Sequence, residues 1–428
     1  MPAQFDARHP GRYACDARVT GASSLRVGWC PGALRPMESG DGLLLRVKPR
    51  GGVLTLAQAE ALAHLSLRYG NGHLDLTGRA NLHLRGATAD TLDALVEGFG
   101  KLGLLDASPD AEAVRNIVAS PLAGLDPTCV DVTPMIAALE TRLAQDAALH
   151  RLPPKWSFVL DGGGRFPLHG VAADVRFVFD RDGGLRVGLT GGSVCAWGSR
   201  DRIVDIAAAL AGLVLAQDIP TRMRPLVDAQ GAAAIFATVG LPLAGRASGP
   251  QIAVQPADIL GPHMDAVPLF GIAPAFASLH ADDLLRIVDI ASRAGASDLR
   301  LTPWRVLLIT GLVDPASFDG TSLIANPADP RLSIVTCAGA PACHRGSTAT
   351  RVDAAALARR LGGATAVHVA GCSKGCAHPA PAPWTLVGQG GHYDLICDGS
   401  VKDMPVARGL SFNEAATWIS RNVDTRGS

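Results

Sequence analysis

The chain has 428 residues, 48% of them hydrophobic, enough for about two to four compact domains with cores of their own. Lys+Arg and Asp+Glu both total 39, so no net field recruits nucleic acid or an acidic membrane surface, and an anionic ligand has to be met by local basic groups. Nine cysteines are too few for a disulfide framework at this length.

The N-terminal stretch "MPAQFDARHPGRYACDARVTG" is polar and lacks an apolar core of signal-peptide length, which leads us to expect a cytoplasmic protein. From Leu54, "LTLAQAEALAHLSLRYGNGHLDLTGRANLHLRG" gives an apolar run of helical period, a glycine stop at Gly70 and Gly72, and then alternation of Leu74, Leu76, Leu82 and Leu84 with polar positions, as in a strand. A seam is expected near 105 to 112. "PPKWSFVLDGG" and "VRFVFDRDGGLRVGL" then read as strands, the second as two strands about an Asp-Gly-Gly turn. "IVDIAAALAGLVLAQDI", from Ile203, carries Asp205 and Asp218 and falls short of a membrane span, so it reads as a buried helix.

Gly/Pro-rich "GLPLAGRASGPQ" at 240 to 251 reads as a second seam, and "DPASFDGTSLIANPADP" at 314 to 330 as a third. Between them, "LHADDLLRIVDIASRAGASDLRLTPWRVLLITG" from Leu279 repeats the earlier grammar: helix period, glycine stop at Gly295, then a strand with Leu299 and Leu301. Two such units about 225 residues apart point to an internal duplication with a pseudo-two-fold, and two similar halves are able to enclose one site.

Near the C-terminus, "RLSIVTC" reads as a strand into a loop, "DAAALARRL" as a helix and "AVHVAGC" as a strand into a second loop. A right-handed crossover makes the strands parallel and brings both loops to one sheet end. The loops carry Cys337 and Cys343, then, after 28 residues, Cys372 and Cys376. Small neighbours (Ala338, Gly339, Ala340, Gly371, Ser373, Gly375) allow the backbone to close around a bulky inorganic core, and four thiolates are the ligand set of a [4Fe–4S] cluster. Zinc is the rival, although its structural sites favour tighter knuckles than Cys337 and Cys343 form, and unliganded loop thiols are the third reading. The other five cysteines (Cys15, Cys30, Cys129, Cys195, Cys397) lack metal-ligand spacing and read as reduced thiols.

The spacing C-x5-C, 28 residues, C-x3-C behind a duplicated half-domain resembles the nitrite/sulfite reductase superfamily over most of the chain. Three further segments match in order: "LTGRANLHLRG" resembles the family's Thr-x-Arg strand, "VRNIVASPLAG" its Arg-Asn segment, and "LPPKW" its Leu-Pro-x-Lys-Phe segment. The resemblance implies an α+β, nitrite/sulfite reductase-like fold with duplicated ferredoxin-like half-domains and two α/β cofactor-binding domains about a pseudo-two-fold. Its domains would be 20–105 (first half-domain), 106–245 (first α/β domain), 246–318 (second half-domain) and 319–428 (second α/β domain, with the cluster).

In the family these parts surround a siroheme, and the cysteine matching Cys376 also bridges to its iron. The match implies that Arg79 and Arg115 pair with macrocycle carboxylates, Lys155 adds a point charge, and Asn81 and Asn116 hydrogen-bond the arms or the backbone, as a macrocycle rich in carboxylates requires. Two departures argue against an ordinary anion reductase: Ser157 stands where sulfite reductases commonly have a second lysine, and Ala80 and His83 stand where they often have glutamines.

"HVAGCSKGCAHPAPAPWTLVG", with Lys374, His378 and Pro379, and "TCAGAPACHRGSTATR" are most similar to the aerobic cobalamin-pathway branch of the superfamily. That branch implies precorrin-3A in the pocket, O2-dependent hydroxylation at C20 with γ-lactone closure, a [4Fe–4S] cluster and a mononuclear non-haem iron. The iron's ligands are unassigned; His83, His344, His368 and His378 are the nearest histidines, and a two-histidine, one-carboxylate face would suit it. Electrons would come ultimately from NADH through a separate reductase, because no Gly-x-Gly-x-x-Gly follows a predicted strand. Siroheme enters only under the alternative of a sulfite or nitrite reductase. Lys374 reads either as a tuner of the cluster or as a solvated loop lysine, and Arg222 and Arg224 as a polar helix face within reach of the cavity.

Overall fold

A computed structural model describes residues 30–180, 182–246 and 253–423. The reading of the N-terminus, Cys15, the first ten residues of the 20–105 domain and part of the 240–251 seam lie outside them.

The two helix–strand units fold as their periodicity requires. Leu56–Tyr69 is a helix whose start is fixed by a capping box: the Thr55 hydroxyl accepts from Gln58 N (3.1 Å) and the Gln58 side chain accepts from Thr55 N (3.0 Å). Its counterpart, Ala281–Arg293, has Asp282 and Asp283 in the first turn, where the helix dipole favours negative charge. The helices pack together, burying Leu62 and Ala63 on one and Leu284, Ile287 and Ala291 on the other in one shared core.

Each half also lends a strand to the other. Val53–Thr55, which leads into the first helix, pairs with Asp298–Leu301 of the second unit; Ser278–His280, which leads into the second helix, pairs with His73–Leu76 of the first. The pseudo-two-fold is therefore built into the hydrogen bonding of both sheets.

Two further sheets flank this pair. The strands Ile117–Ala119, Phe158–Asp161 and Val175–Phe179 run parallel, followed by antiparallel Leu185–Leu189 and Val194–Gly198. Ile334–Thr336, Val367–Ala370 and Ala382–Gln389 run parallel, followed by antiparallel His392–Gly399 and Ala407–Leu410. The identical order of directions shows that the duplication extends through these regions too. Ile203–Leu215 is the expected buried helix, and no helix among the described residues is long and apolar enough to cross a membrane.

Two expectations change. Residues 243–246 within the second seam form an edge strand, because their backbone pairs with Val194–Cys195 and Ala196. The Thr-x-Arg segment is a turn: Thr77 N donates to Asn81 O (2.9 Å), the Thr77 hydroxyl accepts from Arg79 N and Asn81 N, and Ala80 has φ +53°.

Candidate active site

The crossover brings the cysteine loops together as expected. Ile334–Thr336 and Val367–Ala370 lie side by side and parallel, with the Thr350–Leu361 helix between them in sequence. The Thr336 hydroxyl donates to Val369 O (2.9 Å), Ser347 N donates to Gly371 O (3.0 Å), and Gly371 N points at Cys337 Sγ (3.3 Å). The loops meet through glycines. A Cβ on Gly346 would lie 2.7 Å from the carbonyl carbon of Gly339, one on Gly371 would lie 3.2 Å from Gly339 Cα, and one on Gly339, at φ +63°, would collide with the Thr350 hydroxyl.

Cys337, Cys343 and Cys372 are partly buried and Cys376 is exposed. Desolvation of the Cys376 sulfur by the surrounding loops, despite the residue's exposure, raises its pKa; Lys374 opposes this, and Cys372, Cys337 and Cys343 add to it. The four thiols thus share one electrostatic neighbourhood. Among the described residues, no group of three or more His, Cys, Asp or Glu is set to hold a single metal ion. Four cysteines on two glycine-lined loops at one sheet end, with an amide aimed at one sulfur, suit the several irons and sulfides of a cluster.

The sheet of the first half-domain has two unlike faces. Leu45, Val47, Leu74, Leu76, Leu82 and Leu84 enter the shared core. The opposite face carries a row in register: Arg46 beside His83, and His83 beside Asp75. Arg46 Nε donates to His83 Nε2 (2.9 Å), so His83 accepts there and carries its proton on Nδ1. Burial, then Arg46 and Arg85, hold the His83 pKa well below the usual imidazole range. With one nitrogen accepting and the other protonated, His83 is not poised as a metal ligand.

Arg79 extends the basic row from its turn. Its Nη2 donates to Lys155 O (3.2 Å), and it forms no ion pair among the described residues; nor does Arg46. Burial lowers the pKa of both, and for Arg79 the neighbouring Arg46 and Arg222 push the same way while Cys30 and Asp174 oppose. Asn81 is buried and its side-chain amide has no partner among the described residues; Lys155 is exposed. These cations and this amide are open to an anionic ligand.

Arg115 and Asn116 are not. Arg115 is buried with its guanidinium on Asp106 (2.6 Å), Glu140 (3.1 Å) and Lys48 O (3.0 Å). Asn116 donates to the carbonyls of Ala113, Pro154 and Trp156 and accepts from Lys48 Nζ (3.1 Å). The expected ligand contacts of both give way to internal ones, because acids and carbonyls distant in the chain reach them first. Ser157 is buried and its N–H donates to Asp174, which also holds Arg222 (2.7 Å). Arg222 thus stands beside Arg79, whereas Arg224 pairs with Asp228 along its own helix, as a polar face would.

Two basic residues escaped the sequence reading, Arg46 and Lys48. Their signal was present, since "LRVKP" puts basic residues two apart at the end of a strand, hence on one face. Lys48 Nζ is buried and donates to Glu112 O (2.5 Å), Arg115 O (3.3 Å) and Asn116 Oδ1 (3.1 Å). Burial, then Arg115 and Arg46, draw its pKa down to about 7, while three acceptors favour the ammonium.

Of the other histidines, His344 is exposed. His368 is 1% exposed with neither ring nitrogen partnered, and its ring lies 5.6 Å, edge on, from that of His378. A cavity of about 60 Å³ adjoins Lys48, Glu112 and Cys30. A larger one, about 390 Å³, lies at the ends of the Phe158–Asp161 and Val175–Phe179 strands and shares none of these residues.

Residues 35–102 match the family model of the nitrite/sulfite reductase ferredoxin-like half domain. The chain is 32% identical to a precorrin-3B synthase of Sinorhizobium sp, over 92% of this chain and 88% of that one. It is 26% identical to a ferredoxin–nitrite reductase of Synechococcus elongatus, over 89% and 83%. The structure of the Mycobacterium tuberculosis NirA protein superposes with a TM-score of 0.72 at 20% identity, over 89% of this chain and 80% of that one, a likeness of fold.

Proposed function

The chain belongs to the precorrin-3B synthase family of the nitrite/sulfite reductase superfamily, and from that premise we propose how its residues perform the oxidation. The substrate is precorrin-3A, a partly reduced tetrapyrrole with acetate and propionate arms. It is hydroxylated at C20, and an acetate arm closes a γ-lactone. One oxygen atom of O2 enters the product and the other leaves as water, taking two electrons and two protons. The electrons come ultimately from NADH through a separate reductase, and the enzyme works in the cytoplasm.

The observation that carries this reading is the polar face of the first half-domain sheet, where two guanidiniums with no carboxylate partner among the described residues lie on the same side as the contacts to the cysteine loops. Arg79 and Arg46 bind substrate carboxylates, with Lys155 adding charge at the rim and Asn81 donating to an arm. Arg115 and Asn116 support the pocket from behind: they fix Lys48 and join the segment after Pro109–Val114 to the start of the Phe158–Asp161 strand. The absence of a lysine at 157 leaves the small-anion cage of a reductase incomplete.

Cys337, Cys343, Cys372 and Cys376 would hold the [4Fe–4S] cluster, Cys376 being the exposed one. When bound, the cluster and a mononuclear non-haem iron would supply the electrons and the metal that slow, triplet dioxygen requires. His368 and His378 are the adjacent imidazoles best placed for that iron: the unpartnered ring nitrogens of His368 leave it free to ligate.

The test is on protein purified without air: iron, acid-labile sulfide, acid-extracted macrocycle, and O2 consumption with precorrin-3A. We expect four sulfides, more than four irons, no siroheme, and turnover of precorrin-3A. Stoichiometric siroheme with reduction of sulfite or nitrite would replace this reading by the reductase alternative.

A further inference from the structure

A buried charged network joins the first half-domain to the loop bearing Cys337 and Cys343, and nothing in the substrate chemistry uses it. Arg85, 4% exposed on the Leu82–Ala87 strand, donates to both oxygens of Asp41 (2.8 and 2.9 Å), to Asp75 Oδ2 (3.1 Å) and to the Ser39 hydroxyl (3.1 Å). Its Nη2 also donates to the carbonyl of Ala342 (2.5 Å), and the Ser39 hydroxyl donates to the same carbonyl (2.6 Å). Ala342 is the residue immediately before Cys343.

The other oxygen of Asp75 accepts from Arg351 Nη2 (2.7 Å), in the first turn of the Thr350–Leu361 helix. The preceding residue, Thr350, donates its hydroxyl to the carbonyl of Cys337 (2.8 Å). One carboxylate, Asp75, therefore couples an arm that reaches Cys343 to an arm that reaches Cys337. Between them the hairpin turn at Gly40 presses on the loop so closely that a Cβ there would collide with the carbonyl of Pro341.

We propose that Arg85 and Arg351 are positioning residues for the cluster: they hold the Cys337–Cys343 loop against the first half-domain and so set the cluster's potential and its shielding from solvent. This rests on the reading that the four cysteines ligate a cluster. The four side chains are two cations and two anions, so the network is neutral as it stands. Removing either guanidinium leaves a net negative charge beside an already anionic centre, and removing Arg85 also unties the Ala342 carbonyl next to a ligand. Net charge, hydrogen bonding and exposure are the quantities that tune such a potential.

The experiment compares wild type with R85Q, R85K and R351Q, each purified without air, by iron and sulfide content, EPR-monitored redox titration, the half-life of the cluster absorption in air, and melting temperature. R85Q should lower the midpoint potential and shorten the half-life in air about tenfold, the effect of losing one charge-assisted bond. R351Q and R85K should move both readouts the same way by less, and they carry the test if R85Q does not fold. A lowered melting temperature with unchanged potential and lifetime in R85K and R351Q would overturn the proposal, leaving a structural network. Wild type without iron and sulfide would instead overturn the cysteine assignment, and is seen before any variant is made.

Discussion

Arg79 and Arg115 carry the same charge, and each stands in a short motif of the same kind. Their surroundings separate them. Arg115 is 6% exposed between Asp106 and Glu140, themselves 4% and 6% exposed, so Arg115→Ala strips buried Asp106 of its guanidinium, leaves Glu140 with Arg50 alone, and should cost about 3–5 kcal/mol of stability. Arg79 has no ion-paired acid to strand among the described residues. Arg79→Ala should leave chemical unfolding within about 0.5 kcal/mol of wild type and weaken tetrapyrrole binding about tenfold to a hundredfold. A melting point lowered by Arg79→Ala with unchanged binding would reverse the assignment. His368 gives the residue scale a pH dependence. Burial, then His378, lower its pKa to about 4, whereas the unfolded chain takes up the proton near the ordinary value of about 6.5. Between these values the unfolded state binds more protons, so stability falls as pH drops through the window, by at most about 3 kcal/mol, and is regained on raising the pH. Urea unfolding of iron-free protein at pH 4.5 and 7 should show that loss in wild type and a shallower one in His368→Leu; equal slopes would show that His368 does not titrate there.

Elements decide what the thiols are able to hold. The parallel pairing of Ile334–Thr336 with Val367–Ala370 puts both cysteine loops at one sheet end, and glycines let them touch. Gly339→Ala should therefore be disruptive in two ways, through a positive φ and through the collision with the Thr350 hydroxyl that fixes the Cys337 carbonyl. We expect a loss of about 2–3 kcal/mol and substoichiometric iron and sulfide. Full iron and sulfide in that variant would mean the loops tolerate separation. This level was legible in advance because it depends on short-range properties: hydrophobic period, Gly stops and cysteine spacing. The Thr77–Asn81 turn was misread as a strand because Leu82 resumes the alternation on its far side, and only the hydrogen bonds of Thr77 interrupt it.

At the scale of the whole molecule, the duplication visible at Leu54 and Leu279 turns out to be an exchange. The half-domains trade the strands Val53–Thr55 and Ser278–His280, so neither sheet is complete without the other half, and the helices they lead into close one core. That exchange gives the first sheet its two faces, apolar toward the core and polar toward the cysteine domain. The sequence by itself determined the repeat, the strand–helix–strand order, the four thiols and the presence of basic residues in ordered motifs, because these are matters of composition and near spacing. Only the tertiary structure decided which cations remain free. Arg115 and Asn116 are claimed by acids and carbonyls up to 67 residues away, and Arg85 by the cysteine loop 257 residues on, whereas Arg46 and Arg79 are left without a carboxylate among the described residues. A guanidinium's role follows from the acceptor that reaches it, and chain folding, not the residue's own identity, brings that acceptor near.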